Sequence, residues 1–234
     1  FTTASLFAGF YAIMSSRSGQ FEAACIALLA AMVMDTLDGR IARMTNTTSD
    51  FGSEYDSLAD MVSFGVTPAL VLYEWVLHEL GRAGAIAAFL FMACTALRLA
   101  RFNTQSSDEK RFFSGMPSPA AAAVVGSMVW VGYDNDLSGL IYSYAAGLLC
   151  VLSALAMVSN IRYRSFKDID LKGRMTFVAL IGVVLAVALI FVDPPIFFLG
   201  LALVYLFSGP LLDGLDIWRS SKDKNRVKEK ADSD

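Results

Sequence analysis

Several apolar runs of about 17 to 24 residues follow one another along this chain, the length an α-helix rising 1.5 Å per residue needs to cross ~30 Å of hydrocarbon. The runs fall at 1–14, 21–44, 56–77, 82–102, 117–133, 139–158, 175–192 and 195–212. None alternates with a period of two, so helices are expected and a barrel is not. A chain that is 56% hydrophobic and 18% charged is too apolar for an ordinary soluble domain. The expectation is an all-α polytopic membrane protein, a bundle of about eight transmembrane helices forming one domain over 1–218. A charged tail, 219–234, follows it and is expected to be disordered. The first run has neither an initiating Met nor a basic flank, which reads as a truncated first helix and not a signal peptide. Pro117 opens a span, where its missing N–H is tolerated, whereas Pro68 and Pro210 fall inside spans and are expected to kink them.

Eight spans put both ends of the chain on one side, and basic residues decide which side that is. Seventeen Lys and Arg, from Arg40 and Arg43 through Lys228 and Lys230, fall with the termini, against Arg17 and Arg82 opposite. Cytoplasmic loops carry such an excess. The chain is therefore expected in an inner or plasma membrane with the termini cytoplasmic.

Against this apolar background, Asp35, Asp38, Asp56 and Asp60 stand where a membrane protein ordinarily avoids charge. Acidic residues beside Gly and Arg usually mark a solvated helix end. Here, however, Phe21 to Met34 carries only Glu22 and Met61 to Leu77 only Glu74, so the carboxylates join membrane-like helices directly. Charges so placed are costly, and functional by default. Spacings of three and four put each pair on one helix face, able to meet the other pair across a helix contact. Four converging carboxylates repel unless cations hold them. Such a cluster suits two hard divalent metals with oxygen ligands, which in turn clamp a phosphate or diphosphate. Gly39 and Ala42 leave room for a ligand near the backbone, and Arg43 offers a planar donor fork to a phosphate oxygen.

In the order Asp35, Asp38, Gly39, Ala42, Arg43, Gly52, Asp56 and Asp60, the stretch DTLDGRIARMTNTTSDFGSEYDSLAD resembles the signature of the CDP-alcohol phosphotransferases. The resemblance implies that the four aspartates bind two divalent cations, Mg²⁺ or Mn²⁺. It further implies that Asp38, Gly39, Ala42, Arg43 and Gly52 hold the cytidine diphosphate group, that Asp60 is the general base, and that the protein is a homodimer. The site would open at the cytoplasmic membrane interface.

A second polar group lies in LRLARFN, where Arg98 and Arg101 are three apart and Asn103 follows. These arginines are either topogenic or a cationic site for an acceptor carboxylate or a lipid phosphate. LRLARFN, FSGMPSPAA at 113–121 and SNIRYRSFK at 159–167 look like the phosphatidylserine synthase branch of the family. That branch implies CDP-diacylglycerol and L-serine as substrates, with membrane lipid as surroundings and no nucleic-acid partner. Glycerol 3-phosphate and inositol stay open as acceptors, and a non-enzymatic ion transporter is a remoter alternative. A prenyl-diphosphate transferase is disfavoured, because the chain has no DDxxD-like pair of motifs. Cys25, Cys94 and Cys150 show no metal-ligand spacing and read as small buried hydrophobes, and His78 reads as an interfacial residue.

Overall fold

The computed structural model describes residues 1–45, 49–104, 115–161, 163 and 177–231, and the described residues contain helices and no strand. Helix α1 spans Thr2–Arg17 and α2 spans Phe21–Thr45. Next come α3 (Asp50–Asp60), a π-helical turn (Met61–Val66) and α4 (Thr67–Trp75), then a short 3₁₀ turn (Leu77–Leu80). The chain continues as α5 (Arg82–Thr104), α6 (Ser118–Asp134), α7 (Leu140–Val158), α8 (Phe177–Val192) and α9 (Pro194–Ala231).

Each of the eight apolar runs is helical over its described residues, and among the described residues three helices meet the length and hydropathy needed to span a membrane: Arg82–Thr104, Leu140–Val158 and Pro194–Asp213. The third run differs from expectation in two ways. Its helix begins at Asp50, not at 56, because Ser49 caps it there by accepting a hydrogen bond from the Gly52 N–H. It then passes through the wider π turn, and Pro68 falls in the first turn of α4, where a proline is accommodated. Pro210 does lie inside α9. The backbone of α9 is helical to Ala231, and the Lys, Glu and Arg of its last turns are good helix formers.

Small residues bring the helices close together. Ala12, Ala24, Ala31, Ala121, Ala122, Ala146 and Ala154 are all fully buried, the packing expected where lipid supplies no hydrophobic drive between helices and close van der Waals contact must hold them. Phe64, Phe91, Leu72, Val124, Val125 and Val129 fill the centre, with α6 the most enclosed helix. Outward faces are apolar too: Phe191 is 85% exposed and Val192 81%, as on a surface that meets hydrocarbon.

A polar clamp runs through this packing. Ser5, Ser63 and Thr67 are buried; Ser63 Oγ donates to the Ser5 carbonyl at 3.2 Å, Thr67 Oγ1 to the Gly9 carbonyl at 3.2 Å, and Ser5 Oγ to the Ala31 carbonyl at 3.1 Å. Gly9 permits the approach, since a Cβ there would sit 3.1 Å from the Ser63 Cα. Helix α1 thus fixes α2 and the π turn relative to each other. At the opposite end of the bundle Phe21, Trp75 and Tyr133 form an aromatic cluster, with ring centroids 4.9, 5.6 and 5.8 Å apart.

Candidate active site

Two helices supply the acidic cluster. Asp35 comes from the fourth turn of α2, and Asp56 and Asp60 lie one turn apart at the end of α3. One carboxylate oxygen from each of the three lies within 4.8 Å of the others, and all three residues are half-buried. The clamp explains why the helices meet in this register: Ala31, which accepts from Ser5, is one turn before Asp35, and Ser63 is one turn after Asp60. Hard oxygen donors gathered this tightly, on helices that cannot move apart without breaking buried hydrogen bonds, are a donor set that fits a divalent cation.

Asp38 stands outside this trio. Three residues beyond Asp35, it is ~4.5 Å farther along the axis of α2, and its Oδ2 accepts a hydrogen bond from Thr2 Oγ1. Its charge still lies within electrostatic reach of both Asp35 and Asp56. Of the residues tied by resemblance to the cytidine diphosphate group, Gly39 is exposed beside Asp38 on α2. Gly52 sits in the first turn of α3, its N–H bonded to Ser49 Oγ at 3.0 Å. The backbone of α2 passes through Ala42 and Arg43, whose side chains lie outside the described part of the structure.

The three polar residues at the end of α5 diverge. Arg98 Nη1 donates to Ser118 Oγ at 2.9 Å, its Nε is buried without a hydrogen-bond partner, and its charge is within electrostatic reach of Asp60 and Tyr205. Because Ser118 opens α6, the positive end of that helix adds to the positive charge that an anion would meet beside the guanidinium. Arg101 Nη2 instead donates to Asn160 Oδ1 at 2.9 Å, just past α7. Asn103 turns toward the acidic helix, its Nδ2 donating to Ser57 Oγ at 3.0 Å. A side chain that carries a buried, unsatisfied N–H and faces carboxylates is poised for an anionic ligand. Among the three, that description fits Arg98 alone.

Sequence reasoning missed Thr2, Ser57, Ser63, Thr67, Ser118 and Tyr205. A signal existed for two of them: Asp56, Asp60, Ser63 and Thr67 are spaced four, three and four apart, which continues the aspartate stripe along one helix face. Thr2 had none, since a single hydroxyl near the start of an apolar run is unremarkable. Most of the basic residues of FSGMPSPAA's preceding loop and of SNIRYRSFK, including Lys110, Arg111, Arg162, Arg164 and Lys167, lie outside the described residues. The cysteines are buried in apolar surroundings, with Cys25 Sγ donating to the Gly126 carbonyl at 3.3 Å, and His78 lies in the 3₁₀ turn, far along the chain from Asp60.

Residues 1–161 match the family described as CDP-alcohol phosphatidyltransferase. A CDP-diacylglycerol–serine O-phosphatidyltransferase of Helicobacter pylori is 43% identical over 213 residues, covering 88% of this chain and 86% of that protein. An enzyme of the same name from Methanocaldococcus jannaschii is 37% identical over 180 residues, covering 76% of this chain and 78% of the other. An archaetidylserine synthase of Methanothermobacter thermautotrophicus is 36% identical over 157 residues, 66% of this chain and 64% of that one.

Proposed function

Because this chain belongs to the CDP-alcohol phosphatidyltransferase family, we propose that it transfers the phosphatidyl group of CDP-diacylglycerol to the hydroxyl of L-serine, giving phosphatidylserine and CMP. The carrying observation is the meeting of Asp35, Asp56 and Asp60, with Arg98 beside them. The names of the three relatives share serine while one of them names a different lipid, which supports serine as the acceptor.

In this reading two divalent cations, magnesium or manganese, are held by Asp35, Asp38, Asp56 and Asp60, and when bound they neutralise charge on the diphosphate. Asp60 accepts the proton of the serine hydroxyl as its oxygen attacks the phosphatidyl phosphorus. A new P–O bond to serine forms while the P–O bond to CMP breaks, and CMP departs with the electron pair. Thr2 holds Asp38 in place through its hydroxyl. Gly39, Ala42, Arg43 and Gly52 line the side assigned to the cytidine diphosphate. Arg98, with its spare Nε–H, takes the serine carboxylate, and Arg101 and Asn103 border that side.

The site belongs near one membrane face. Asp35 is fourteen residues beyond Phe21 on α2, ~21 Å along an ideal helix, and Phe21 belongs to the aromatic cluster. Such clusters favour the headgroup level. In a slab ~30 Å thick starting at that cluster, the aspartates fall in the far half, about 9 Å short of the other surface, and the excess of basic residues supports reading that side as the cytoplasmic one. About eight membrane-crossing helices and a homodimer complete this reading. Its test is CMP release by purified protein given CDP-diacylglycerol and, in turn, serine, glycerol 3-phosphate, inositol and choline, with the lipid product identified. Phosphatidylserine from serine alone is expected. A different product overturns the acceptor, and no CMP with any acceptor overturns the reaction.

A further inference from the structure

Pro210 lies inside α9 and carries no N–H, so the Leu206 carbonyl, four residues back, has no partner from that position of its own helix. In a membrane such a freed carbonyl is costly and is met by a neighbouring group. Tyr163 meets this one: its hydroxyl donates to the Leu206 carbonyl at 3.1 Å, and the residue is buried. Gly209 makes the room, since a Cβ there would collide with the Tyr163 ring. The gap left by one proline is thus closed by a residue from just past α7.

Tyr163 is itself held in place from two other elements. The Ile161 carbonyl accepts from the Gly115 N–H at 2.9 Å and the Ala156 carbonyl from the Met116 N–H at 2.9 Å, which fastens the end of α7 to the residues leading into α6. Arg101, near the end of α5, donates to Asn160. Asn160, Ile161 and Tyr163 therefore tie α5, the approach to α6, and α9 to one another. On α9 the residue before Leu206 is Tyr205, whose ring tilts against that of Tyr163 with centroids 5.5 Å apart. Tyr205 lies within electrostatic reach of Arg98, and with Pro117 it lines an apolar cavity between α6 and α9; Pro117 is next to Ser118, the residue that holds Arg98.

We propose that Tyr163 is a positioning residue for the acceptor: by closing the gap at Pro210 it fixes α9 so that Tyr205 stands against Arg98 and, with Ser118, sets where the guanidinium points. The proposal rests on the reading that Arg98 takes the serine carboxylate, and adds what orients it. A guanidinium grips a carboxylate bidentately only when the two planes align, so a small rotation weakens serine binding. The aspartates stand on α2 and α3, outside this set of ties, and their hold on metal should not change with it.

The test varies serine at saturating CDP-diacylglycerol with purified full-length protein in detergent, CMP release giving KM and kcat. Tyr163→Phe removes the hydroxyl and keeps the ring; it is expected to raise serine KM about fivefold, the scale of one hydrogen bond, with the KM for CDP-diacylglycerol and the affinity for Mn²⁺ within about twofold of wild type. Tyr205→Leu should raise serine KM at least as much, and adding Tyr163→Phe to it should change KM by less than about twofold more, because the intermediary is already gone. Pro210→Ala added to Tyr163→Phe gives the Leu206 carbonyl a helical N–H again, and should restore the denaturation midpoint while serine KM stays raised. The proposal is overturned by a normal serine KM in Tyr163→Phe, by donor KM or Mn²⁺ affinity shifting as much as serine KM, by effects that multiply in full in the Tyr205 double variant, or by a serine KM that recovers together with the midpoint. Wild-type protein that makes no phosphatidylserine overturns the acceptor reading and this proposal with it; phosphatidylserine formation with a normal Tyr163→Phe overturns the positioning role alone.

Discussion

Asn103 Nδ2 donates to Ser57 Oγ at 3.0 Å, tying the end of α5 to the residue that follows Asp56. An amide expected at the acceptor site is thus spent on the helix that carries two of the aspartates. Asn103→Ala should therefore slow turnover by a similar factor with every acceptor, leaving serine KM within about threefold. The loss of one hydrogen bond, about 1 kcal/mol, sets the scale at roughly fivefold. A selective rise in serine KM would return Asn103 to the acceptor site.

Thr2 and Asp38 give a second test, because the threonine hydroxyl donates to this carboxylate. Residues that orient metal ligands typically contribute 10- to 100-fold in metal affinity. Thr2→Val is expected to weaken Mn²⁺ binding, followed by paramagnetic resonance, by about that factor. Asp35→Asn and Asp56→Asn remove members of the trio itself and should do more, with excess Mg²⁺ or Mn²⁺ restoring little activity. Near-normal turnover in both aspartate variants would sink the metal assignment.

Asp60 is separated from its neighbours by role more than by position. If it takes the acceptor proton, Asp60→Asn should lower kcat by roughly 100-fold or more while the KM for CDP-diacylglycerol changes little. Donor affinity that collapses in step with the rate would make it chiefly a metal ligand.

The buried hydroxyls of the clamp predict a structural effect with a functional trace. Ser63→Ala and Thr67→Val each remove one interhelical hydrogen bond, worth about 0.6 to 1 kcal/mol in a membrane protein. Each should lower the denaturation midpoint in detergent modestly and also weaken Mn²⁺ binding, since the register of α2 against α3 is what brings Asp35 to Asp60. Lower stability with unchanged Mn²⁺ affinity would show that the clamp serves packing alone.

How much of this was legible beforehand differs by level. Apolar run length gave most of the helices to within a few residues; the exceptions are the third run, where Ser49 begins α3 six residues early and a π turn divides it from α4, and the last, where α9 continues to Ala231. The aspartates were legible because charge in an apolar chain is conspicuous. Their pairing was legible only in part, since a spacing of three or four states which face a residue occupies and not how far along the axis the partner helix will meet it. Asp38 shares a face with Asp35 yet falls a turn beyond the meeting point. Interhelical hydroxyl contacts such as Thr2 to Asp38 depend on the placement of whole helices, which no local pattern encodes.

The same limit bears on Arg98 and Arg101, which are three residues apart and looked equivalent, but reach Ser118 and Asn160 respectively. Only Arg98 combines a buried, unpartnered Nε with proximity to Asp60. A bidentate pair between its guanidinium and a carboxylate would be worth roughly 1.5 to 3 kcal/mol, so its loss should raise serine KM by about 10- to 100-fold. Lysine keeps the charge without the fork, and Arg98→Lys should therefore remain impaired. Arg101→Lys can still donate to Asn160 and should stay within about threefold of wild type. Steady-state kinetics with serine varied at saturating CDP-diacylglycerol decide the matter. A normal serine KM in Arg98→Lys, or an equal rise in both variants, would remove the carboxylate from Arg98 and leave the phosphatidyl transfer at the aspartates untouched.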